Sequence, residues 1–250
     1  MDGNHNKLSA FSHRLRVINA PASDARVAHL LELLDLAAAA SIVDLGCGTG
    51  EWLIRAVAGS ACRGVGVDID DQALAEARRR ALVRGVENRI EWRAEGASEV
   101  CRGAGRRFDR ALCVGASHAF GGYLPALAAL VSCTAPGGRV LVGEGFWHRP
   151  PSAEYVAFLG GGDELRAHEE NVWLAERAGL LPLFAGTATL DEWDDFEWAF
   201  WRAVATCPGG GGSDDEELRA LRERRKQWRD GYLRWGRGTM GFGYYVFGVE

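Results

Sequence analysis

The stretch Val43-Asp-Leu-Gly-Cys-Gly-Thr-Gly-Glu51 holds glycines at 46, 48 and 50 behind an acid, Asp44. Glycine lets a backbone turn tightly and approach a ligand with no Cβ in the way. A helix starting just beyond such a loop presents free N–H groups to an anionic group. The spacing is G-x-G-x-G, not the G-x-G-x-x-G of a dinucleotide site, and no Gly-Lys-Ser/Thr follows as in a phosphate-binding Walker loop. Asp68 stands 22 residues past Gly46, at the end of the apolar run Gly64-Val-Gly-Val-Asp68. An acid there accepts hydrogen bonds from ribose hydroxyls in nucleotide-binding α/β folds. The two signals predict a nucleoside ligand carrying something other than a pyrophosphate.

These residues need strand ends to hold them. Short apolar runs at 41–44, 64–68, 90–94, 108–115 and 139–143 read as strands, the last after a Pro136-Gly-Gly turn. Helical spacing fills the gaps: from Ser23 through Val27, Leu30, Leu31 and Leu34, then over 51–58, 70–84 and 124–131. Strands alternating with helices predict βαβ units and a parallel, doubly wound α/β sheet. Further on, 163–178 reads as a helix and 181–188 as a strand. Thr189-x-x-Glu192 is a capping box opening a helix with Trp193, Phe196, Phe200, Trp201 and Val204 on one face. After the connector Cys207-Pro-Gly-Gly-Gly-Gly, a helix is expected over 213–230, and 242–249 reads as a closing strand.

Asp44-Leu-Gly-Cys-Gly-Thr-Gly with Gly66-Val-Asp68-Ile-Asp resembles the class I S-adenosylmethionine-dependent methyltransferases. The likeness runs from about 41 to 145, through Asp109-Arg-Ala-Leu-Cys-Val-Gly and Pro136-Gly-Gly-Arg-Val-Leu-Val. It implies a Rossmann-like sheet of seven mostly parallel strands, the last antiparallel and supplied by 242–249. It implies S-adenosyl-L-methionine as cofactor, with Asp44, Gly46, Cys47, Gly48 and Gly50 around its methionine part. Asp68 then takes the ribose and Ile69 lies beside adenine. Glu95, Gly96 and Ala97 follow strand three, where the family often has an acidic or polar residue before Ala, and Val114 completes the cofactor set. Gly115-Ala-Ser-His-Ala-Phe-Gly-Gly, Gly143-Glu-Gly-Phe-Trp, Ser12-His-Arg14 and Asn19-x-Pro21-x-Ser23 resemble a bacterial subgroup assigned to small-molecule acceptors. The implied layout is one domain: a cap over 1–40, a cofactor-binding core over 41–189, a helical insert over 190–240 and a last strand over 241–250.

Methyl transfer asks the protein to align a nucleophile with a methyl group, and asks for a base only if the nucleophile arrives protonated. His118 after strand four and Glu144 after strand five are the catalytic candidates. Their alternatives are a loop-packing histidine and a carboxylate that ties down the N-terminal segment through Arg14. Phe146, Trp147 and Trp235 are candidates for an aromatic substrate wall, and Trp147 and Trp235 are expected in one cavity with His118 and Glu144. Segments 1–22 and 190–240 suit a lid; the aromatic helix suits a satellite core as well. The basic run Arg222, Arg224, Arg225, Lys226 and Arg229, interleaved with acids, reads as a solvated helix face.

With 29 Lys+Arg against 34 Asp+Glu among 250 residues, the formal charge is −5. That balance argues against a nucleic-acid partner, and no Asn/Asp-Pro-Pro-Tyr box follows strand four. No acid stands where a magnesium-dependent catechol-type enzyme would need one, so no metal is expected. Six scattered cysteines without C-x-x-C spacing read as buried free thiols, and no apolar run approaches membrane-spanning length. The chain reads as cytoplasmic, with its oligomeric state open. The function expected is methyl transfer to O or N of a small molecule. The alternatives are a non-catalytic cofactor-binding module and a nicotinamide-dependent oxidoreductase on a similar sheet.

Overall fold

The computed structural model describes residues 17–102, 107–160, 165–207 and 213–250. Ser12-His-Arg14, most of the 1–22 segment and the glycines of the 207–212 connector lie outside these residues. The strands are β1 (Ser41–Leu45), β2 (Arg63–Asp68), β3 (Ile90–Ala94), β4 (Phe108–Val114), β5 (Thr134–Trp147), β6 (Arg166–Ala167), β7 (Leu180–Thr187) and β8 (Met240–Val249). The helices are α1 (Asp24–Leu33), α2 (Glu51–Ala58), α3 (Asp71–Val83), α4 (Ala97–Arg102), α5 (Tyr123–Cys133), α6 (Ala153–Phe158), α7 (His168–Arg177), α8 (Leu190–Ala205) and α9 (Ser213–Arg234). The sheet runs β3-β2-β1-β4-β5-β8-β7, with β6 beside the end of β5. β8 alone is antiparallel to its neighbours.

The expected seven strands are therefore present, plus a two-residue eighth. The chain order reverses between β1 and β4, and open α/β sheets bind ligands outside the carboxyl ends of the strands at such a point.

Successive strand residues face opposite sides, and both sides are covered. Val43, Val65, Cys113, Tyr245 and Phe247 pack with Leu127 and Leu130 of α5 and Ala175 of α7. Ile42, Leu112, Leu141, Tyr244 and Val246 pack with Leu30 of α1, Leu53 and Ile54 of α2 and Ala81 of α3.

Two elements differ from the expected ones. The helix expected over 163–178 begins at His168, because Arg166 and Ala167 pair with Phe146 and Trp147 as β6. β5 continues past Gly143 because Phe146 and Trp147 also pair with Gly241 and Met240. The basic run on α9 is only partly a solvated face. Arg225 lies 4.7 Å over the Phe200 ring and Arg229 4.4 Å over Trp201. Arg222 donates to the Val204 and Cys207 carbonyls at the end of α8. Guanidinium stems and planes thus cover the aromatic stripe of α8.

Arg110 on β4 is a buried cation whose guanidinium donates to the carbonyls of Leu34, Asp35 and Asp109, closing the end of α1 onto the sheet. Arg110→Met removes the guanidinium donor from all three carbonyls and is expected to lower stability by about 2–4 kcal/mol. Urea unfolding followed by circular dichroism measures it; a loss under about 0.5 kcal/mol would contradict this role.

Candidate active site

The glycine loop leaves β1 at Leu45 and is pinned at once. The N–H groups of Gly46 and Cys47 both donate to the Val67 carbonyl, at 2.9 Å each. Gly46, Gly48 and Gly50 all have positive φ, at 75°, 53° and 75°. A Cβ on Gly46 would lie 2.4 Å from the Ala116 Cβ, and one on Gly50 would lie 2.4 Å from the Trp92 ring. A Cβ on Gly48 would meet nothing within 4 Å. Gly46 and Gly50 are glycines for packing as well as for conformation; Gly48 borders open space.

Asp68 ends β2 beside this loop. Its Oδ2 accepts from Gly48 N at 2.7 Å and its Oδ1 from Asp70 N at 2.9 Å. A carboxylate has about four lone-pair sites, so acceptor capacity remains for hydroxyls. Ile69 next to it is 79% exposed. Asp44 is fully enclosed under the loop, and burial, then the nearby Asp68, pushes its carboxyl up to about 8. The same burial and the same two acids raise the Cys47 thiol well above its ordinary value.

At the end of β3, Glu95 is ion-paired with Arg93 at 3.6 Å, and Ala97 is buried as the first residue of α4. The Glu99 side chain lies over Gly96, its Cδ 3.5 Å from where a Cβ would stand. Glu99 is an acid at this loop that the motif comparison did not single out. Its signal was the missing acid at 96. Val114 packs over Gly143 beside Phe242.

His118 and Glu144 line one cavity of about 350 Å³ with Ser117, Tyr123, Leu165, Arg166 and Asn171. Because Ala116 touches Gly46, this cavity lies next to the glycine loop. Glu144 Oε1 accepts from Gly145 N at 3.1 Å. Trp147 and Trp235 are not among its lining residues, and the expectation of one shared cavity is corrected. Trp147 sits edge-on to Tyr155, 5.9 Å between centroids, and Trp235 stacks on Tyr155 at 6.1 Å. Phe146 is also no wall: it is buried against His148 and His168. Tyr155 recruits the two tryptophans, and no local spacing announces it. Tyr123, Arg166 and Asn171, which sequence reasoning missed, face the cavity instead. Among the described residues no group of three or more His, Cys, Asp or Glu could hold a metal ion.

Residues 42–138 match the family described as a methyltransferase domain. The chain carries a methyltransferase domain over this stretch. It is 28% identical over 231 residues to YjhP of Escherichia coli K12, an uncharacterized protein, covering 85% of this chain and 86% of that one. The solved YjhP structure superposes with a TM-score of 0.85 at 25% identity, over 98% of this chain and 100% of that one. A Geobacter sulfurreducens S-adenosylmethionine-dependent methyltransferase, solved with S-adenosyl-L-homocysteine, gives a TM-score of 0.87 at 23% identity, over 98% of each chain. At that identity the likeness carries the fold, and the domain match carries the methyltransferase reading of residues 42–138. The nicotinamide-dependent reading gives way to it.

The residues of the loop fit such a cofactor. Its ammonium and sulfonium are cations, and the methyltransferase presents a buried acid with a second acid beside it. Asp44 holds its proton to about pH 8, and a bound ammonium favours the ionised form. Binding then expels a proton, so affinity rises with pH, by at most about tenfold per unit, until about pH 8. The free protein has the opposite trend. Its unfolded chain ionises Asp44 near 3.8 and its folded chain near 8, so this group lowers folded-state stability as pH climbs through that window. Calorimetry with S-adenosylhomocysteine in buffers of different ionisation enthalpy reads the released proton. Asp44→Asn should bind more weakly and without proton release; an unchanged release assigns the proton elsewhere.

Proposed function

We propose that this methyltransferase acts on oxygen or nitrogen of a small-molecule acceptor held in the cavity at the ends of β4 and β5. The carrying observation is that His118 and Glu144 share that cavity, and that it abuts the glycine loop through the Ala116–Gly46 contact. When bound, S-adenosylmethionine supplies an electrophilic methyl carbon on a cationic sulfur. Asp44, Gly46, Cys47, Gly48 and Gly50 would hold its methionine part, and Asp68 its ribose hydroxyls. Ile69 would cover one face of adenine, with Glu95, Gly96, Ala97 and Glu99 along its edge, and Val114 would border the loop from β4.

The protein's work is alignment and proton handling. His118 and Glu144 are the groups that would orient the nucleophile and take its proton, through an imidazole nitrogen and a carboxylate oxygen. A cavity of about 350 Å³ suits a small ligand. The excess of acids speaks against a nucleic-acid acceptor. No helix among the described residues is long and apolar enough to cross a membrane. The six free cysteines support a reducing compartment, the cytoplasm. The chain is read as one domain, with 190–240 as a helical insert before the last strand.

S-adenosylhomocysteine titrated into the protein should bind, and Asp68→Ala should weaken binding by about 100-fold, since two hydroxyl bonds to a carboxylate are lost. Incubating small-molecule extracts with radiolabelled methyl donor should give a labelled product only with active protein. Equal binding by Asp68→Ala would overturn the ribose assignment, and label confined to macromolecules would overturn the acceptor class.

A further inference from the structure

The acceptor cavity carries two opposite charges on one face. Glu144 lies on β5 two residues before Phe146, and Phe146 is the register partner of Arg166 on β6. Residues two apart on a strand, and direct partners across strands, share a face. Both charges act through space on the Tyr123 hydroxyl. Burial raises its ionisation most; Glu144 adds to that and Arg166 works against it.

Asn171 is the third group, 1% exposed and on the cavity lining. Its amide nitrogen donates to the Tyr245 hydroxyl at 3.1 Å, which also meets His168 Nδ1 at 2.9 Å. Its main-chain carbonyl accepts from Tyr123 Oη at 3.0 Å. The side chain is thereby held by its nitrogen end, and the amide oxygen is the atom it can offer a ligand.

Resting on the methyltransferase reading above, we propose that the acceptor is a free amino acid, its carboxylate on Arg166 and its amine between Glu144 and Asn171, and that nitrogen is the atom methylated. A planar guanidinium matches a carboxylate with two parallel bonds. An ammonium has three N–H donors, which a carboxylate and an amide oxygen accept. A neutral alcohol or phenol offers neither a carboxylate for Arg166 nor an ammonium for Glu144. A phosphorylated acceptor would meet Glu144 as a like charge.

Chemistry agrees with the placement. Glu144 takes a proton from the ammonium, freeing the lone pair. That pair forms the new N–C bond to the sulfonium methyl, the C–S bond breaks, and its electrons stay on sulfur as a neutral thioether. The product is an N-methylammonium, whose charge Glu144 stabilises after passing its proton to solvent. The carboxylate, neutralised on Arg166, is the poorer nucleophile.

The test uses the full chain saturated with S-adenosylhomocysteine, titrated by calorimetry with the twenty protein amino acids. Each has two controls, its decarboxylated amine and its deaminated acid. At least one amino acid should bind over 30-fold more tightly than both controls. Arg166→Met should weaken it more than tenfold, with partial recovery in Arg166→Lys, while S-adenosylhomocysteine binding stays unchanged. With S-adenosylmethionine, mass spectrometry should find the added methyl on nitrogen. If S-adenosylhomocysteine binds but no amino acid does, or the controls bind equally, or the methyl is on oxygen, this inference falls and the methyltransferase reading stands. If S-adenosylhomocysteine does not bind, both fall.

Discussion

The fold turns on one close approach. Gly46 stands against Ala116 with no room for a side chain between them, and both Gly46 and Cys47 hang by their N–H groups from Val67. The end of β1 is thus fastened to β2 below and to the loop after β4 beside it. The glycine loop and Asp68 lie on one side of this contact, and the cavity of His118, Glu144 and Arg166 on the other. A methyl donor and its acceptor must meet at about 3–3.5 Å in alignment. Two half-sites on separate loops would not hold that tolerance, whereas two half-sites in van der Waals contact through backbone do.

Charge is arranged on the same plan. Carboxylates on the helices around the loop have arginines. Glu51, buried at the start of α2, lies 2.7 Å from Arg55 and 3.5 Å from Arg84. Glu76 is drawn down to about 2 by its bond to Arg79, with Arg80 adding to it. The two acids under the loop have none of this. Asp68 is met by backbone N–H groups, and Asp44 has burial and Asp68 acting on it in the same unfavourable direction. An acid left uncompensated beside compensated ones marks where a cation is expected, and Asp44 is that acid, under the loop proposed for the cofactor's methionine part.

How much of this could be read from the residues depends on whether the signal was local. The glycine loop, Asp68 and the strand-helix alternation are written in short windows, and β8 stands out because Phe242, Tyr244 and Val246 alternate with Gly243, Tyr245 and Phe247, with both sides buried. Arg166 was invisible for the opposite reason. Two residues make a strand only because β5 runs on to Trp147, and that extension depends on pairing with Met240 and Gly241, almost a hundred positions away in sequence. Trp147 and Trp235 were misplaced by the same blindness: their glycine-rich surroundings suggested a cavity wall, but Tyr155 on α6 gathers them. On α9, acids alternating with arginines read as solvated, yet Arg225 and Arg229 spend their planes on the rings of α8. Charge patterning gives the composition of a face and not what lies opposite.

The segment between β7 and β8 builds a satellite core that is tied back to the sheet. α8 leaves the end of β7 and α9 returns at the start of β8, both at the edge where the strands of the site end. Its aromatic residues do form a core of their own: Trp193 stacks on Phe196 and Phe242, and the buried Glu197 accepts from Trp228 Nε1 at 2.7 Å. Yet Phe242 also lies against Gly115 and Gly143, so this core extends onto the floor of the site. Glu192 clasps it to the lead-in segment. Its carboxylate caps α8, accepts from Ser23 N at 3.0 Å and pairs with Arg26 at 3.0 Å. Burial would raise its ionisation, but the bonds from Arg26, Ser23 and Thr189 prevail and hold it near 2. The clasp therefore stays charged throughout the neutral range, and Tyr244 adds a bond from its hydroxyl to the Pro21 carbonyl. Separating the start of α1 from α8 would strip a partly buried carboxylate of its cation, so the clasp holds the two helices as one unit.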